Sequence, residues 1–443
     1  TRVTVTGSTI GDNGSTGLVC SACASLDLDG SDVDGNANGG IRFSYDLDPV
    51  GPDRHIAITG SRITDNIADG PGGGISVTTL EPAPSDTSPI MTVTGSRIAR
   101  NSTLGNGRPG GGIYSRVGEL VVESSRIVRN RAGTAGVAGS AGGGIYHVPD
   151  TDGLTAARHD MTITASRVAR NAAAGNGGGL YLDSDGAVAV HRTTLWKNTT
   201  AVRGRGGAVW AREAAPLLIE QSTLSANRAT RGGGAYFDGR TGSSSVKVIG
   251  TTVSKNRATE YGGGVQVAES ALVTLRNSTV SANRAGIAGG GIQAGTAVAP
   301  IVPVDGLALD FTTVRRNRAP QGGNLGARSG TVSIRTSVLV AAKGPGCTFG
   351  PAAVLASGGY TFTDDAACAG DPTDVVSGAN PHLGPLKNNG GPTRTHLPAG
   401  NSPLVGLVPL GACTVTTDQR GEPRPRGTGC EPGSVEVKGK RRS

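Results

Sequence analysis

The composition of the chain limits the class of protein it can be. It has 443 residues, of which 73 are glycine and only 3% are aromatic, and its formal net charge is +8. The glycines follow no strict three-residue period, which excludes a collagen-like chain. No apolar run is long enough to span a membrane. The positive charge is spread along the chain, which favours acidic polymers as partners without indicating nucleic acid.

Six cysteines indicate an oxidising compartment. They form three sets that are each close in sequence: Cys20/Cys23, Cys347/Cys368 and Cys413/Cys430. An even number in loop-rich segments favours disulfides, whereas a zinc site would need a second ligand pair near the first set. The chain also begins at Thr1 in what already reads as a strand, which predicts that a leader was removed. We therefore expect a secreted or cell-surface protein.

Two short phrases recur through residues 1–340. One is a glycine run followed by an aliphatic residue, as in Gly177-Gly178-Gly179-Leu180. The other is Ser/Thr-x-Ile/Val/Leu-x-x-Asn, with its asparagine at Asn13, Asn66, Asn101, Asn130, Asn171, Asn198, Asn227, Asn256, Asn283 and Asn317. The tightest spacings are 27 and 29 residues, so a unit is too short to bury its own apolar face. The repeats predict an all-β fold, a parallel β-helix of about ten coils.

Alternating polarity predicts the strands within each coil. The first resembles Met161-Thr162-Ile163-Thr164, the second ends at the recurrent asparagine, and the third begins at the glycine run. We expect the asparagines to form a turn ladder, with equivalent residues about 4.8 Å apart along the axis. The glycines supply backbone conformations that other residues resist.

Residues 14–38 and 76–90 are predicted to be insertions between coils. The first contains Asp27, Asp29, Asp32 and Asp34 at alternating spacing, a set of oxygen ligands that could hold Ca²⁺. A solvated acidic loop explains the same pattern, because no bidentate glutamate closes the set. The sequence requires no other cofactor.

The repeat phrases resemble those of secreted bacterial β-helix proteins, including chlamydial polymorphic outer-membrane proteins and autotransporter passengers. The resemblance covers residues 1–340 and implies the pectin-lyase-like right-handed parallel β-helix. It implies no particular activity. The Gly-His-Gly of polygalacturonase-type hydrolases is missing, and Asp364-Asp365 lies outside the repeats.

From residue 341 the repeat gives way to Pro, Gly and Cys, so residues 341–443 are predicted to be a loop-rich, disulfide-bearing cap over the last open sheet edge. This segment is similar to the choice-of-anchor Q domains that end exported bacterial proteins. The matching residues include Leu386–Thr393, Asp418-Gln419-Arg420-Gly421, Arg424-Pro425-Arg426 and Cys430. The choice-of-anchor Q domains usually end in acidic and aromatic residues, and here Glu431–Glu436 stands in that place. The resemblance therefore implies export rather than anchoring.

The register of the glycine-led strands predicts an aromatic row. If the aliphatic residue after each glycine run points inward, the next residue points outward. We therefore expect one outer row of Tyr114, Tyr146, Tyr181, Trp210 and Tyr236. Flat rings with polar tips suit sugar rings, which predicts polysaccharide binding. The alternative is that the rings stack on each other and shield the sheet.

Two residues further along three of these strands lie Asp183, Arg212 and Asp238. Carboxylates two coils apart are on the order of 9–10 Å from each other, near the upper limit for an inverting glycosidase. Arg212 could instead hold a uronate carboxylate while Tyr181, Tyr236 or His191 removes a proton, as a lyase would require. A cross-strand charge row explains the same residues without chemistry.

Basic residues flank the asparagine ladder on both sides. Arg131, Arg228, Arg257, Arg284 and Arg318 follow it, and residues such as Arg100, Arg129, Arg170 and Lys197 precede it. Such an edge fits an acidic glycan, or only water and salt. The sequence therefore predicts an exported polysaccharide-binding protein, with hydrolase or lyase chemistry at Asp183, Asp238, Arg212 and His191. The competing interpretation is a non-catalytic, adhesin-like surface protein.

Overall fold

A computed structural model describes residues 1–45, 54–79, 89–134, 139–149, 159–214, 216–239, 245–269, 271–295, 306–342 and 344–437. The chain divides into two compact units. The N-terminal unit comprises Thr1–Pro216 and Asn227–Thr230, and the C-terminal unit comprises Leu217–Ala226 and Arg231–Ser443. Regular structure is almost entirely β, with 3₁₀ turns at Ala366–Cys368 and Leu410–Ala412. No helix in the described part of the chain is long and apolar enough to cross a membrane.

The N-terminal unit is a stack of coils, and two of its parallel sheets are built from the strands before each asparagine. The first sheet contains Arg2–Thr6, Ser25–Asp29, His55–Thr59, Ile90–Thr94, Glu119–Glu123, Asp160–Thr164 and Val188–His191. The second sheet contains Thr9–Gly11, Asp32–Asp34, Arg62–Thr64, Arg97–Ala99, Arg126–Val128, Arg167–Ala169 and Thr194–Trp196.

Two further parallel sheets complete each coil of this unit. The short sheet, which was not predicted, contains Ile67–Ala68, Ser102–Thr103, Arg131–Ala132, Ala172–Ala173, Thr199–Thr200 and residues 228–230 of the strand Arg228–Arg231. The glycine-led sheet contains Leu18–Ser21, Ile41–Tyr45, Ile75–Thr79, Ile113–Ser115, Ile145–His147, Leu180–Ser184 and Val209–Ala214. These strands pair in parallel with their equivalents in neighbouring coils, as Ile113 does with Ile145, and between Leu180–Ser184 and Val209–Ala214 the register shifts after Asp183.

The C-terminal unit repeats this plan with its own coils. Its first sheet contains Leu217–Glu220, Ser245–Ile249, Leu272–Arg276 and Gly306–Asp310. Its second contains Thr223–Ser225, Thr252–Ser254, Thr279–Ser281, Thr313–Arg315, Val338–Val340, Phe362–Thr363 and Val375–Val376. Its short sheet contains Arg257–Tyr261, and its glycine-led sheet contains Ala235–Gly239, Val265–Glu269 and Ile292–Ala294. The long strands Leu325–Arg335 and Cys347–Ser357 each run through both the glycine-led sheet and the first sheet.

Stacks of small aliphatic side chains fill the interior of the coils. In the second sheet of the N-terminal unit they are Val33, Ile63, Ile98, Ile127, Val168 and Leu195, all fully buried. Burying such a side chain contributes roughly 1.5–3 kcal/mol, so a core without large rings suffices when every coil adds one layer. This explains the low aromatic content of the sequence.

The asparagine ladder is confirmed by hydrogen bonds between equivalent residues. Asn171 Oδ1 accepts from the backbone N–H and the side-chain amide of Asn130, at 2.9 and 3.1 Å. Asn171 Nδ2 in turn donates to Asn198 Oδ1 and to the Ile127 carbonyl of the neighbouring coil. The ladder also includes Asn36 and Asn324, which were not predicted. Each buried amide thereby satisfies turn groups of its neighbours that water cannot reach.

The three positions of a glycine run are needed for two different reasons. Gly177 has φ +66°, the left-handed region, and a Cβ there would lie 2.4 Å from the Leu180 carbonyl oxygen. Gly178 and Gly179 lack this φ, but their Cβ atoms would lie 2.5 and 2.6 Å from carbonyl oxygens of the next coil. The prediction of special backbone conformation is therefore correct for the first glycine, whereas the other two permit close stacking.

Residues 14–38 form a complete coil, so the predicted insertion is wrong. Ser25–Asp29 and Asp32–Asp34 pair with strands on both sides, and Asn36 occupies its place in the ladder. The short interval between Asn13 and Asn36 concealed this coil. Of the other predicted insertion, residues 76–79 belong to the strand Ile75–Thr79 and residue 90 begins the strand Ile90–Thr94, whereas residues 80–88 lie outside the described residues.

Parallel strands continue past the boundary predicted at residue 340, since Phe362 pairs with Val338 and Val375 with Phe362. The following residues 377–437, here called the strap, lie over the outer face of the second sheet. Hydrogen bonds join the strap to the side chains of Thr252, Thr279, Ser281, Thr313 and Arg315. Within the predicted cap, Cys347–Ser357 and Phe362–Thr363 therefore pair with the edge strands of the last repeat coil, whereas the strap makes its contacts along the face of successive coils.

The motif residues of the C-terminal segment hold the strap in place. Gln419 Nε2 donates to Thr252 Oγ1 at 3.0 Å, and its Oε1 accepts from Thr279 at 2.6 Å. Arg424 and Glu436 form a fully buried ion pair at 3.2 Å. The predicted disulfides Cys347–Cys368 and Cys413–Cys430 are present, as is Cys20–Cys23, and no cysteine is free.

Acidification is expected to loosen the strap through His396. Its Nε2 is 2.9 Å from Ser281 Oγ and its Nδ1 is 2.7 Å from the Gly384 carbonyl oxygen. Burial, with Arg315 and Arg316 nearby, lowers the pKa of His396 to about 4. A base whose pKa falls on folding contributes stability above its unfolded pKa near 6.5, and this is lost as the pH falls towards 4.

From pH 7 to pH 5 we expect His396 to cost about 2 kcal/mol of unfolding free energy. Hydrogen exchange of the strap amides at both pH values measures this, and His396→Gln is the matched variant because glutamine can keep both hydrogen bonds. Equal acid sensitivity in the variant and the parent protein would contradict the assignment.

Candidate functional site

Four of the five predicted aromatic residues lie in one continuous stack in the N-terminal unit. The ring centroids of Tyr114 and Tyr146 are 5.4 Å apart, those of Tyr146 and Tyr181 4.5 Å, and those of Tyr181 and Trp210 4.3 Å, with interplanar angles of 10–18°. In-register pairing of the glycine-led strands produces this arrangement, because each ring follows the aliphatic residue that faces the interior. Tyr236 lies at the equivalent position of a strand in the C-terminal unit.

The stack is less exposed than the sequence predicts. Tyr114, Trp210 and Tyr236 are only 6%, 3% and 1% exposed, while Tyr146 and Tyr181 are half-buried. The rings of the N-terminal unit also turn their faces to one another, and the Arg212 guanidinium lies 5.6 Å from the Trp210 ring centroid. Ring edges and hydroxyl groups, rather than an open row of ring faces, are therefore available to a ligand.

A cavity of about 360 Å³ opens beside the two half-buried tyrosines. Tyr146 and Tyr181 line it together with small residues of the turns that precede the glycine runs, among them Pro109, Ala141 and Ala174. Asn176 and Arg203 supply polar groups. The volume lies within the range of roughly 300–1,000 Å³ for ligand sites, and the mixture of apolar wall and few polar groups is typical of them.

The polar side chains at this cavity can donate hydrogen bonds at neutral pH. Burial raises the pKa of Tyr146 to about 12, with Tyr114 and Asp183 adding to the effect, so its hydroxyl stays protonated. The Asn176 Oδ1 accepts a hydrogen bond from the backbone N–H of Arg205 at 2.9 Å, and the side-chain nitrogen of Asn176 takes no part in that bond. A ligand rich in oxygen acceptors would suit such a lining.

Asp183 and Arg212 are brought together by the pairing of their strands. Arg212 Nη2 and Nε donate to Asp183 Oδ2 at 2.5 and 3.2 Å. Their side chains are 25% and 37% exposed. The pair is thus a cross-strand ion pair of the kind foreseen as the alternative to catalysis, and Asp183 presents a carboxylate already engaged by a cation.

The other two predicted catalytic residues are placed differently. Asp238 belongs to the C-terminal unit and is only 2% exposed, so bulk substrate does not reach its carboxylate in this structure. His191 ends a strand of the first sheet, whereas Asp183 and Arg212 lie on the glycine-led sheet. The structure therefore brings Asp183 and Arg212 together but places His191 on another sheet.

The four aspartates proposed for Ca²⁺ are not gathered around a common point. Asp27 pairs with Arg2 at 2.8 Å and with His55 at 3.0 Å, Asp32 lies 3.7 Å from Arg62, and Asp34 accepts from Thr64. These contacts follow from the strands on which the aspartates lie. In the described part of the chain, no group of three or more His, Cys, Asp or Glu residues is arranged to hold a metal ion.

The cavity residues Asn176 and Arg203 were missed by the sequence analysis. They lie in turns of unequal length between the ladder asparagine and the glycine run, where no repeat phrase assigns a position. The one available signal was that these turns vary while the rest of the coil does not, and variable turns on a rigid scaffold commonly carry binding residues.

Comparison with known proteins supports the fold. Residues 145–299 match a family model described as a right handed beta helix region. The matched segment contains Tyr146, Tyr181, Trp210 and Tyr236. No curated protein and no solved structure gives a significant match. Together with the parallel sheets and the repeated coils, the match makes this chain a right-handed parallel β-helix.

Proposed function

We propose that this protein is an exported glycan-binding β-helix that holds part of a polysaccharide in the cavity beside Tyr146 and Tyr181. The observation that carries the proposal is the coincidence of this cavity with the two half-buried members of the tyrosine stack. The three disulfides favour an oxidising, extracytoplasmic setting.

Sugar chemistry suits this lining better than purely apolar chemistry. A pyranose presents apolar C–H groups, which can rest on the ring edges and the small side chains, together with hydroxyls that pair with the tyrosines and Asn176. Arg203 is exposed at the rim and would accommodate a uronate carboxylate. An acidic glycan is accordingly the preferred substrate class.

Binding is favoured over catalysis. The Asp183 carboxylate is engaged by Arg212, and Asp238 is buried, so the two do not present a free acid and base to one substrate. The stacking of the rings on one another favours a second candidate, a non-catalytic surface protein in which the stack only stiffens the coils. The hydrolase and lyase hypotheses remain testable by their products, reducing or unsaturated ends.

We expect Tyr181→Phe to weaken binding of an acidic polysaccharide about threefold to tenfold, because it removes one hydroxyl hydrogen bond and keeps the ring stack. Isothermal titration against polygalacturonate and neutral glycans measures the effect. Tyr114→Phe is the matched control, since Tyr114 belongs to the same stack but is buried and does not line the cavity.

The glycan panel also separates the alternatives. Equal affinities of Tyr181→Phe and Tyr114→Phe would remove the cavity as the binding site. Absence of binding to every glycan would favour the surface protein whose rings are structural. Release of new chain ends that Asp183→Asn abolishes would instead establish catalysis at this residue.

A further inference from the structure

A column of arginines lies on the outer face of the second sheet in the N-terminal unit. Strand register aligns Arg62 with Arg97, Arg97 with Arg126, and Arg126 with Arg167. Successive members are therefore about 4.8 Å apart at the backbone. Asp32 lies 3.7 Å from the first of them and offsets its charge. For the remaining three, no acidic partner lies among the residues that the structure describes.

A second column of cations runs along the adjacent turn. Arg100, Arg129, Arg170 and Lys197 each precede a ladder asparagine and have φ between 54° and 61°. Backbone hydrogen bonds keep these turns stacked, as from Arg129 N–H to the Ala169 carbonyl and from Arg170 N–H to the Trp196 carbonyl. Asp65 pairs with Arg100 at the start of the column.

Six cations of these columns make up what we call the arginine face: Arg97, Arg126, Arg129, Arg167, Arg170 and Lys197. None of the six forms an ion pair within the described residues. Five are exposed and Arg97 is half-buried, and burial together with the surrounding arginines lowers the pKa of Arg97. Like charges at this spacing repel, and an anion bound across them would relieve the repulsion.

Three of these cations lie around one aromatic ring. The Lys197 ammonium lies 4.4 Å from the ring centroid of Trp196, and the guanidinium carbons of Arg170 and Arg167 lie at 4.9 and 5.0 Å. Cation–π attraction holds head groups near a ring face without neutralising them. The cluster is thus a preorganised group of three positive charges on the protein surface.

The same outward position is occupied differently in the C-terminal unit. There the aligned residues are Thr223, Thr252, Thr279 and Thr313. The last three are at most 2% exposed, because the strap lies over them. Small hydroxyl side chains thus occupy the covered positions Thr252, Thr279 and Thr313, whereas Arg126 and Arg167 at equivalent positions of the N-terminal unit are exposed. The arginine face is suited to a partner that is anionic and separate from the chain.

We propose that the arginine face binds a linear acidic polysaccharide along the stack of coils, with its carboxylate or sulfate groups held most tightly by Arg167, Arg170 and Lys197 around Trp196. This site lies on the second sheet, and nothing in it depends on the tyrosine cavity of the glycine-led sheet. Single-stranded nucleic acid fits less well, because such ligands need successive rings for their bases. The face offers one ring, which cations already contact.

The test compares two double variants that each remove two positive charges. Arg170→Ala/Lys197→Ala alters the Trp196 cluster, whereas Arg257→Ala/Arg284→Ala alters an exposed pair aligned in the C-terminal unit. Binding of dextran sulfate, polygalacturonate, neutral dextran and a single-stranded oligonucleotide is measured at 50 and 200 mM salt. Circular dichroism checks the fold of each variant, and Trp196→Leu examines the ring separately.

We expect binding to one or both acidic glycans, and none to neutral dextran. The cluster variant should lose about tenfold or more in affinity and some of the salt dependence, while the control variant changes by less than about threefold. Preference between dextran sulfate and polygalacturonate assigns sulfate or carboxylate as the group bound. Equal losses in the two double variants, tighter binding of the oligonucleotide, or no binding at 50 mM salt would each overturn the proposal.

Discussion

Replacing Gly177 by alanine is expected to destabilise the N-terminal unit by on the order of 3–5 kcal/mol. The new Cβ would lie 2.4 Å from the Leu180 carbonyl oxygen and 2.9 Å from the Tyr181 Cα, and backbone atoms cannot move aside as a flexible side chain can. The residue would also have to keep φ +66°, which costs an alanine about 1–2 kcal/mol. Chemical denaturation followed by circular dichroism measures the loss.

Gly105→Ala separates the two contributions. Gly105 has φ +76° but nothing within 4 Å of its Cβ position, so it carries the conformational cost without the close approach. We expect a loss of about 1–2 kcal/mol there. Equal losses at the two positions would mean that the close packing of the glycine run contributes little, and that its backbone conformation alone matters.

Removing a buried member of the asparagine ladder should be similarly costly. Asn171→Ala leaves the backbone N–H and amide of Asn130 and the carbonyl of Ile127 without their partners, in a turn where Asn171 is fully buried. Each unsatisfied buried group costs about 1–3 kcal/mol, so we expect a loss of about 3–6 kcal/mol in unfolding free energy. Hydrogen exchange should localise it to the turns on either side.

Asn13→Ala is the control at the exposed end of the same ladder. Its side chain donates to Asn36 Oδ1, and no ladder residue donates to it. We expect a change below about 1 kcal/mol. A loss at Asn171 no larger than that at Asn13 would contradict the view that the ladder stabilises the coils by satisfying buried turns.

Local repetition made the fold predictable from the sequence. The spacing of Asn171, Asn198 and Asn227 identifies one coil, and stacking identical coils leaves few alternatives. The coil through Asn36 escaped detection because its turns are short and its strands carry aspartates on their outward side. Outward positions tolerate almost any residue, so the polar residues there masked the aliphatic ones between them.

Of the candidate site, the sequence predicts the aromatic row but not the exposure of its members. Period-two alternation assigns Tyr146 and Tyr181 to the same side of their strands, and parallel pairing stacks them. Their exposure depends on turns such as those containing Asn176 and Arg203, which follow no repeat. Of the arginine face, the cations before the ladder asparagines were predicted as a basic edge, but the column of Arg97, Arg126 and Arg167 beside them was not. The contrast with the C-terminal unit was also not predictable, since the strap is more than 100 residues from the threonines that it covers in the earlier coils.

A crystal structure with an acidic oligosaccharide tests the central functional claim most directly. We expect sugar density in the cavity beside Tyr146 and Tyr181, with a ligand hydroxyl within hydrogen-bond distance of at least one tyrosine hydroxyl. Density only elsewhere on the coils, with this cavity holding water at saturating ligand, would contradict it.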